Sequence, residues 1–330
     1  MPVTTFDADH ARHTGLRWRG WWDSKGRLQQ PWEARTWATW RPDECPDVED
    51  LLWADAPWHE PVSHFGIDTE ATAEWHALWD APVRTTVGGM SAGNVWGGTP
   101  WQDVTGQPLC TVWETGEAKG ADLMPWTWKK FLVPLPKVVR RYDDPTGRQD
   151  NQWIGFDRDR QLMWECGAMR PRVGAGPNEW VARTVVAWDL TRPWDATPKG
   201  VTASNLPLVA GIARPQEYAR CHIDHAMWFV ADRYSAREVR WPARGTDGTF
   251  WDCPLVAGMR LVLRHDWMPA KPLTAQQRTF VNAAKQYGFI VSDRTHPDHG
   301  SKVRDCMDPR VVIPDLGIWH HDLLILEQAA

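Results

Sequence analysis

Along most of the chain the apolar positions recur with the period of strands, and only in a few windows with that of a helix. Residues 152–156 and 161–166 alternate on either side of the polar run Asp157-Arg158-Asp159-Arg160, the pattern of a β-hairpin. Residues 181–190, 226–231, 238–242 and 259–264 carry the β-branched or alternating character of further strands. Residues 131–139 read FLVPLPKVV, and the two prolines assign them to a sheet edge or an extended segment, since proline cannot donate to a ladder. Helical period appears in three places. Asp68 caps a helix over 69–79, with Trp75 and Trp79 on one face at i, i+4 spacing. Arg214-Pro215-Gln216-Glu217 starts a second, with proline at the first helical position. Thr274 caps the run AQQRTFVNAAKQYG, which Gly288 closes before a strand at 289–292. These elements predict a mainly β protein, a β-sandwich or jelly-roll-like body with a few packed helices.

The first 55 residues follow neither period. Trp18, Trp21, Trp22, Trp32, Trp37, Trp40 and Trp53 are interleaved there with Arg17, Arg19, Arg27, Arg35 and Arg41. Such a segment cannot bury its indoles alone, so residues 1–55 are expected to form an extended N-terminal arm that docks on the body or on another subunit. Residues 56–330 are then expected to be a single β-rich body domain.

Composition changes this picture mainly through tryptophan. The chain has 25 Trp against 4 Tyr and 8 Phe. Each buried indole N–H needs an acceptor, which limits how many a core takes. Part of the surplus is therefore expected at surfaces, stacked on sugar rings, at subunit contacts or against arginine. The formal net charge of −5, with no basic run, argues against nucleic acid as the main partner. No apolar stretch reaches the ~18 residues that a membrane span needs. The opening MPVTTFDADHARHTG lacks the basic-then-apolar pattern of a secretory signal. Cys45, Cys110, Cys166, Cys221, Cys253 and Cys306 stand singly, which removes zinc-ribbon and thioredoxin-like chemistry. Three disulfides are permitted, but free thiols are the default for a chain folded in cytoplasm. G-x-S-x-G, Walker, G-x-G-x-x-G and H-E-x-x-H motifs are all missing.

Three polar clusters carry candidate chemistry. Cys221-His222-Ile223-Asp224-His225 offers an acid/base pair or metal ligands, although a polar strand start with one satisfied buried histidine explains it as well. Asp293 ends a strand before Arg294-Thr295-His296-Pro297-Asp298-His299, a loop able to fold around a cation or simply to be solvated. Trp319-His320-His321-Asp322 precedes a terminal strand whose docking would account for it. If the chain is an enzyme, Asp224, His225 and Asp293 are its expected catalytic residues. His296, His299 and His321 are the candidate metal ligands, and Trp228, Trp241, Trp251 and Trp267 the candidate sugar-binding platforms. A glycosidase would draw two carboxylates, roughly 5 to 10 Å apart, from Asp157, Glu165, Asp224, Asp266 and Asp293.

Six segments run in the order of one bacterial family. They are APWHEPV (56–62), FDRDRQLMWE (156–165), ASNLPLVAGIARPQEYARCHIDHAM (203–227), EVRWPARGTDG (238–248), AGMRLVLRHDW (257–267) and AAKQYGFIVSDRTH (283–296). They resemble a poorly characterised family of secreted proteins of actinobacteria and other soil bacteria and of tail-associated, minor tail proteins of actinobacteriophages. The resemblance implies an extracellular or virion-borne protein tied to cell-wall or polysaccharide material, and it brings no catalytic assignment. Asp224-His225 and Asp293 match the family's pattern. Trp153 stands where many relatives carry a histidine, so an activity using that histidine is in doubt here. With no export pattern, the resemblance favours a virion protein made in host cytoplasm: a minor tail or tail-tip component, joined to other virion subunits by the arm and contacting host cell-surface polysaccharide. No organic cofactor is implied, and a metal ion is left open. The alternatives are a glycan-cleaving enzyme acting on cell-wall polysaccharide, a purely architectural virion subunit, and a cytoplasmic location.

Overall fold

The computed structural model describes residues 21–22, 28–29, 36–39, 46–48, 52–78, 81, 83, 101–116, 128–141, 152–172, 178–194, 200–295, 301–303 and 316–327. Most of the expected arm, including Trp18, Trp32 and Trp40, lies outside them. Two compact units divide the chain: Met1–Pro46 with Val95–Asp189, and Asp47–Asn94 with Leu190–Ala330. This division crosses the boundary expected at residue 55 and splits the expected single body.

The first unit is built from strands alone among its described residues. Two short pairings involve β1 (Trp21–Trp22) with β2 (Leu28–Gln29) and β3 (Thr36–Thr39) with β7 (Val138–Arg141). One four-stranded sheet runs β10 (Arg170–Pro171), β11 (Glu179–Ala182), β5 (Leu109–Glu114), β6 (Lys129–Pro134). The other runs β12 (Thr184–Asp189), β9 (Leu162–Gly167), β8 (Trp153–Asp157), β4 (Trp101–Asp103). Strand alternation turns Cys110, Val112, Val133 and Trp180 of the first sheet and Trp153, Cys166 and Val185 of the second into one shared core. The body is therefore sandwich-like, and the proline-bearing strand β6 is an edge, as its sequence predicts. The β8–β9 hairpin is also as expected, its turn held by the Arg160 guanidinium on Asp157 at 2.9 Å. Residues 181–190 are not one strand: the ladder breaks at Arg183, and the two halves join different sheets.

Two buried indoles of this unit have a polar side chain as acceptor. Trp188 Nε1 donates to the buried Glu165 at 2.9 Å, and Trp153 Nε1 to Gln102 Oε1 at 3.0 Å.

The second unit has a five-stranded mixed sheet ordered β16 (Lys302–Val303), β13 (Met227–Ala231), β15 (Phe289–Arg294), β14 (Arg260–Leu263), β17 (Leu323–Ile325). Only β13 and β15 run parallel; the other neighbours are antiparallel. Every residue of β13 and β14 is buried, so these strands are covered on both faces and lack alternation. Helix α1 (Thr69–Leu78) packs beside β17 and α3 (Ala275–Gln286) beside β14. Their caps are those the sequence predicts: Asp68 Oδ1 accepts from Ala71 N at 2.9 Å, and Thr274 Oγ1 from Gln277 N at 3.2 Å. Gly288 ends α3 with φ +71, a conformation costly for other residues. Between them α2 (Pro215–Arg220) starts on Pro215 and ends on a left-handed Cys221.

Four indoles, Trp53, Trp58, Trp194 and Trp228, meet edge to face in this core, with centroids 4.7 to 6.0 Å apart. Each such pair adds about 0.5–1.5 kcal/mol beyond its burial. Arg260, also buried, donates through both terminal nitrogens to the Pro57 and Glu60 carbonyls and lies over the Phe65 ring. It thereby ties the turn at Pro57–His59 to β14. The expected strand at 238–242 reduces to a single bridge, Val239 to Ala257, followed by a turn closed by Ala243 N on Arg240 O.

Candidate functional site

The cluster around His225 is built by the return of the chain from α2. Left-handed Cys221 reverses the backbone, so residues 222–226 run back along the helix into β13. The His225 ring then lies with Nδ1 2.9 Å from the Ala226 carbonyl and Nε2 3.0 Å from Glu217 Oε1. Glu217 also receives Arg214 Nη2 at Oε1 and the Arg214 backbone N–H at Oε2, both at 2.6 Å. All three side chains are at most 1% exposed. Burial by itself pushes the Glu217 carboxyl up, but the Arg214 and His225 charges and hydrogen bonds outweigh it and hold it at about 2. His59, which the sequence reading passed over, stands 6.1 Å from the His225 ring, and its Nδ1 lies 3.0 Å from the Asp224 carbonyl. Burial first, and then His225, lower its pKa below the ordinary histidine value.

This arrangement corrects the expected catalytic set. His225 is sealed from solvent and committed to Glu217, so no substrate reaches it. In the parallel register Met227 faces Phe289 and Val230 faces Asp293. Asp224 and His225 therefore precede one end of the β13–β15 pair, while Asp293 lies near the other, past a strand stretch of roughly 10 Å from Met227 to Val230. Asp293 belongs instead to a group at the carboxyl end of these strands, near the buried Tyr234 hydroxyl that donates to Asp247. Burial and the two carboxylates raise the Tyr234 pKa, so its phenol stays a donor.

The four expected platforms also divide. Trp228 is fully buried, with Nε1 on the Pro207 carbonyl at 3.0 Å, and Trp267 is buried with Lys285 over its ring. Neither offers a ring face to a sugar. Trp241 is 49% and Trp251 63% exposed. Of the sixteen tryptophans whose burial is described ten are buried, so among these most fill cores and few rings are left for surface binding. Of the candidate metal ligands, His321 stacks on Trp319 with centroids 5.9 Å apart, while His296 and His299 lie outside the described residues. Among the described residues no three His, Cys, Asp or Glu side chains are grouped to hold a metal.

Trp251 lines an open cleft of about 340 Å³ in this unit. One wall is α1, which presents Glu70 and Glu74 from a single face at i, i+4. The other is a backbone ladder in which Ser235 N donates to Leu255 O, Ala236 N to Phe250 O and Arg240 N to Ala257 O. Thr246 Oγ1 donates to the Ser235 carbonyl, and Gly248 passes so close to that carbonyl that a Cβ there would collide with it. This ladder carries Arg237, Glu238 and Arg240 into the cleft beside Trp251. The Arg237 guanidinium lies 4.4 Å above the Trp251 ring centroid, bracing one face of the indole. Comparison with family models, with curated proteins and with solved structures finds no match for the chain. Among the described residues the side chains of Glu70, Glu74, Glu238 and Arg240 have no hydrogen bond or ion pair with one another or with neighbours. Cys253, also in the lining, has its thiol pushed up by burial and is not activated as a nucleophile. A braced aromatic face ringed by polar donors and acceptors is equipped to bind.

Sequence reasoning named Trp251 but not its partners. Glu70 and Glu74 were legible as the solvent face of a capped helix, yet nothing local joined that face to Arg237 and Trp251.

Proposed function

We propose that the chain binds carbohydrate through this cleft, as a minor tail or tail-tip component of a phage particle that meets the glycan of its host's envelope. The sugar part rests on Trp251. A pyranose ring stacks its C–H face on an exposed, braced indole, while its hydroxyls pair with carboxylates and guanidinium groups at the rim. Unpaired side chains give up no internal contact when the sugar arrives.

The virion part is supported by the resemblance of the six segments to tail-associated proteins and by the Trp/Arg interleaving of residues 1–55, which suits docking on neighbouring subunits. The net charge of −5 argues against nucleic acid, and no helix among the described residues is long and apolar enough to cross a membrane. The separation of Asp224 and His225 from Asp293 along the β13–β15 pair speaks against the glycan-cleaving alternative in the form that joins those three residues.

Three experiments test the proposal. Mass spectrometry of purified particles of the encoding phage is expected to find this chain, and antibody against it to block adsorption. Recovery of the chain only as a free soluble protein would overturn the virion reading. Failure of host-wall glycan to bind the isolated chain would overturn the carbohydrate reading.

A further inference from the structure

His59 closes the turn Pro57–His59, which neighbouring elements hold from two sides. Arg260 of β14 grips the Pro57 and Glu60 carbonyls, and the Ala226 N–H, at the entry of β13, donates to the Trp58 carbonyl at 2.7 Å. The imidazole adds its own tie to that entry through Nδ1, 3.0 Å from the Asp224 carbonyl. A carbonyl only accepts, so Nδ1 carries the proton of the neutral ring, and a second proton has to go on Nε2. Nε2 is buried and has no hydrogen-bond partner. The surplus beside it is of donors. Arg214, whose charge acts on His59, is buried with Nε and Nη1 unpartnered, and the His225 ring stands 6.1 Å away. Glu217 is already shared by Arg214 and His225. Only Asp224 favours a charged His59, its partly exposed carboxylate 4.0 Å from Nδ1. Tyr287 acts on Asp224, and the Glu60 carboxylate is turned to His64 at 3.3 Å.

We infer that His59 is an acid-sensitive latch: neutral, it pins the turn Pro57–His59 to the entry of β13, and protonated, it lets that turn come away. Protonation puts a cationic N–H at a buried position where no acceptor waits. The ring is relieved by swinging out to water, which breaks its bond to the Asp224 carbonyl. Its side chain is already 21% exposed, so the way out is short. Burial first, and then His225, keep the ring below its ordinary pKa of 6.5, against the pull of Asp224. The opened chain therefore takes the proton first. The stability that the latch contributes is complete above 6.5 and is lost as pH falls below that value. Glu217, held at about 2, stays ionised throughout this range, so the latch acts separately from the ion pair behind it.

The test compares the full chain at about pH 7.5 and about pH 5. Hydrogen exchange of the Ala226 amide, corrected for its intrinsic pH dependence, is expected to lose protection over this range, because that amide is bonded across the latch. In NMR the His59 ring is expected to titrate below 6.5. The variant His59→Asn keeps an amide donor for the Asp224 carbonyl and takes up no proton. Its urea midpoint is therefore expected to fall less than that of wild type over the same range. Ala226 protection indifferent to pH, a His59 ring that titrates at or above 6.5, or equal pH dependence of wild type and variant would each overturn the inference. The two wild-type measurements decide it even where His59→Asn does not fold.

Discussion

Replacing Glu217 by Gln removes one negative charge from a cluster closed to water. The Glu217 carboxylate takes two contacts of 2.6 Å from Arg214 and lies 3.0 Å from His225 Nε2, with all three side chains at most 1% exposed. Glutamine keeps one acceptor oxygen, but its amide turns donors toward a guanidinium that has only donors. Breaking a buried pair by removing one partner costs about 3–5 kcal/mol, because the other charge stays buried and uncompensated. That is a large share of the ~5–15 kcal/mol that stabilises a typical domain. The pH dependence gives a second reading of the same bond. The folded carboxyl, held at about 2, lies below its ordinary value near 4.5, so the stability it contributes is complete above that ordinary value. It is lost as pH falls toward 2, since the unfolded chain then binds the proton first. The shift corresponds to about 3 kcal/mol. Urea unfolding of wild type and Glu217→Gln should therefore differ most at neutral pH, and the gap should narrow steadily as the pH is lowered toward about 3. Equal midpoints at neutral pH, or a gap that ignores pH, would refute the argument that this ion pair holds α2 to the start of β13.

Gly211→Ala should destabilise the second unit by about 1–3 kcal/mol in thermal unfolding, because a Cβ at that position runs into the Trp228 indole. Arg260→Lys should lower the melting midpoint by the equivalent of roughly 1.5–3 kcal/mol, since an ammonium cannot span the Pro57 and Glu60 carbonyls with a planar fork. Asp224→Asn and Asp293→Asn should each leave glycan titrations at the wild-type value, because neither residue lines the cleft.

The local signals read correctly were those with a short-range cause. Asp68, Pro215, Thr274 and Gly288 fix helix ends through capping bonds and backbone freedom within a turn or two, and each acts in the structure as the sequence predicts. The β8–β9 hairpin was legible for the same reason. The failures share a non-local cause. Residues 181–190 are continuously strand-like, and only the competition of two sheets for partners breaks them at Arg183. Asp224 and Asp293 both flank strands in sequence, but a parallel pairing puts the entry of β13 and the exit of β15 at opposite ends. Trp228 and Trp251 are alike as residues. One falls in a strand covered on both faces and the other in a loop braced by Arg237, a difference set by tertiary packing.

The central claim, that the cleft beside α1 binds sugar on Trp251, is tested most directly by titrating wild type and Trp251→Ala with β-1,4-linked hexamers of glucosamine and N-acetylglucosamine. Truncating an aromatic anchor typically costs about tenfold or more in affinity. Trp251→Ala is expected to lose at least that much with the thermal midpoint unchanged, because the ring is largely exposed. An unchanged affinity in a folded Trp251→Ala variant would contradict the account.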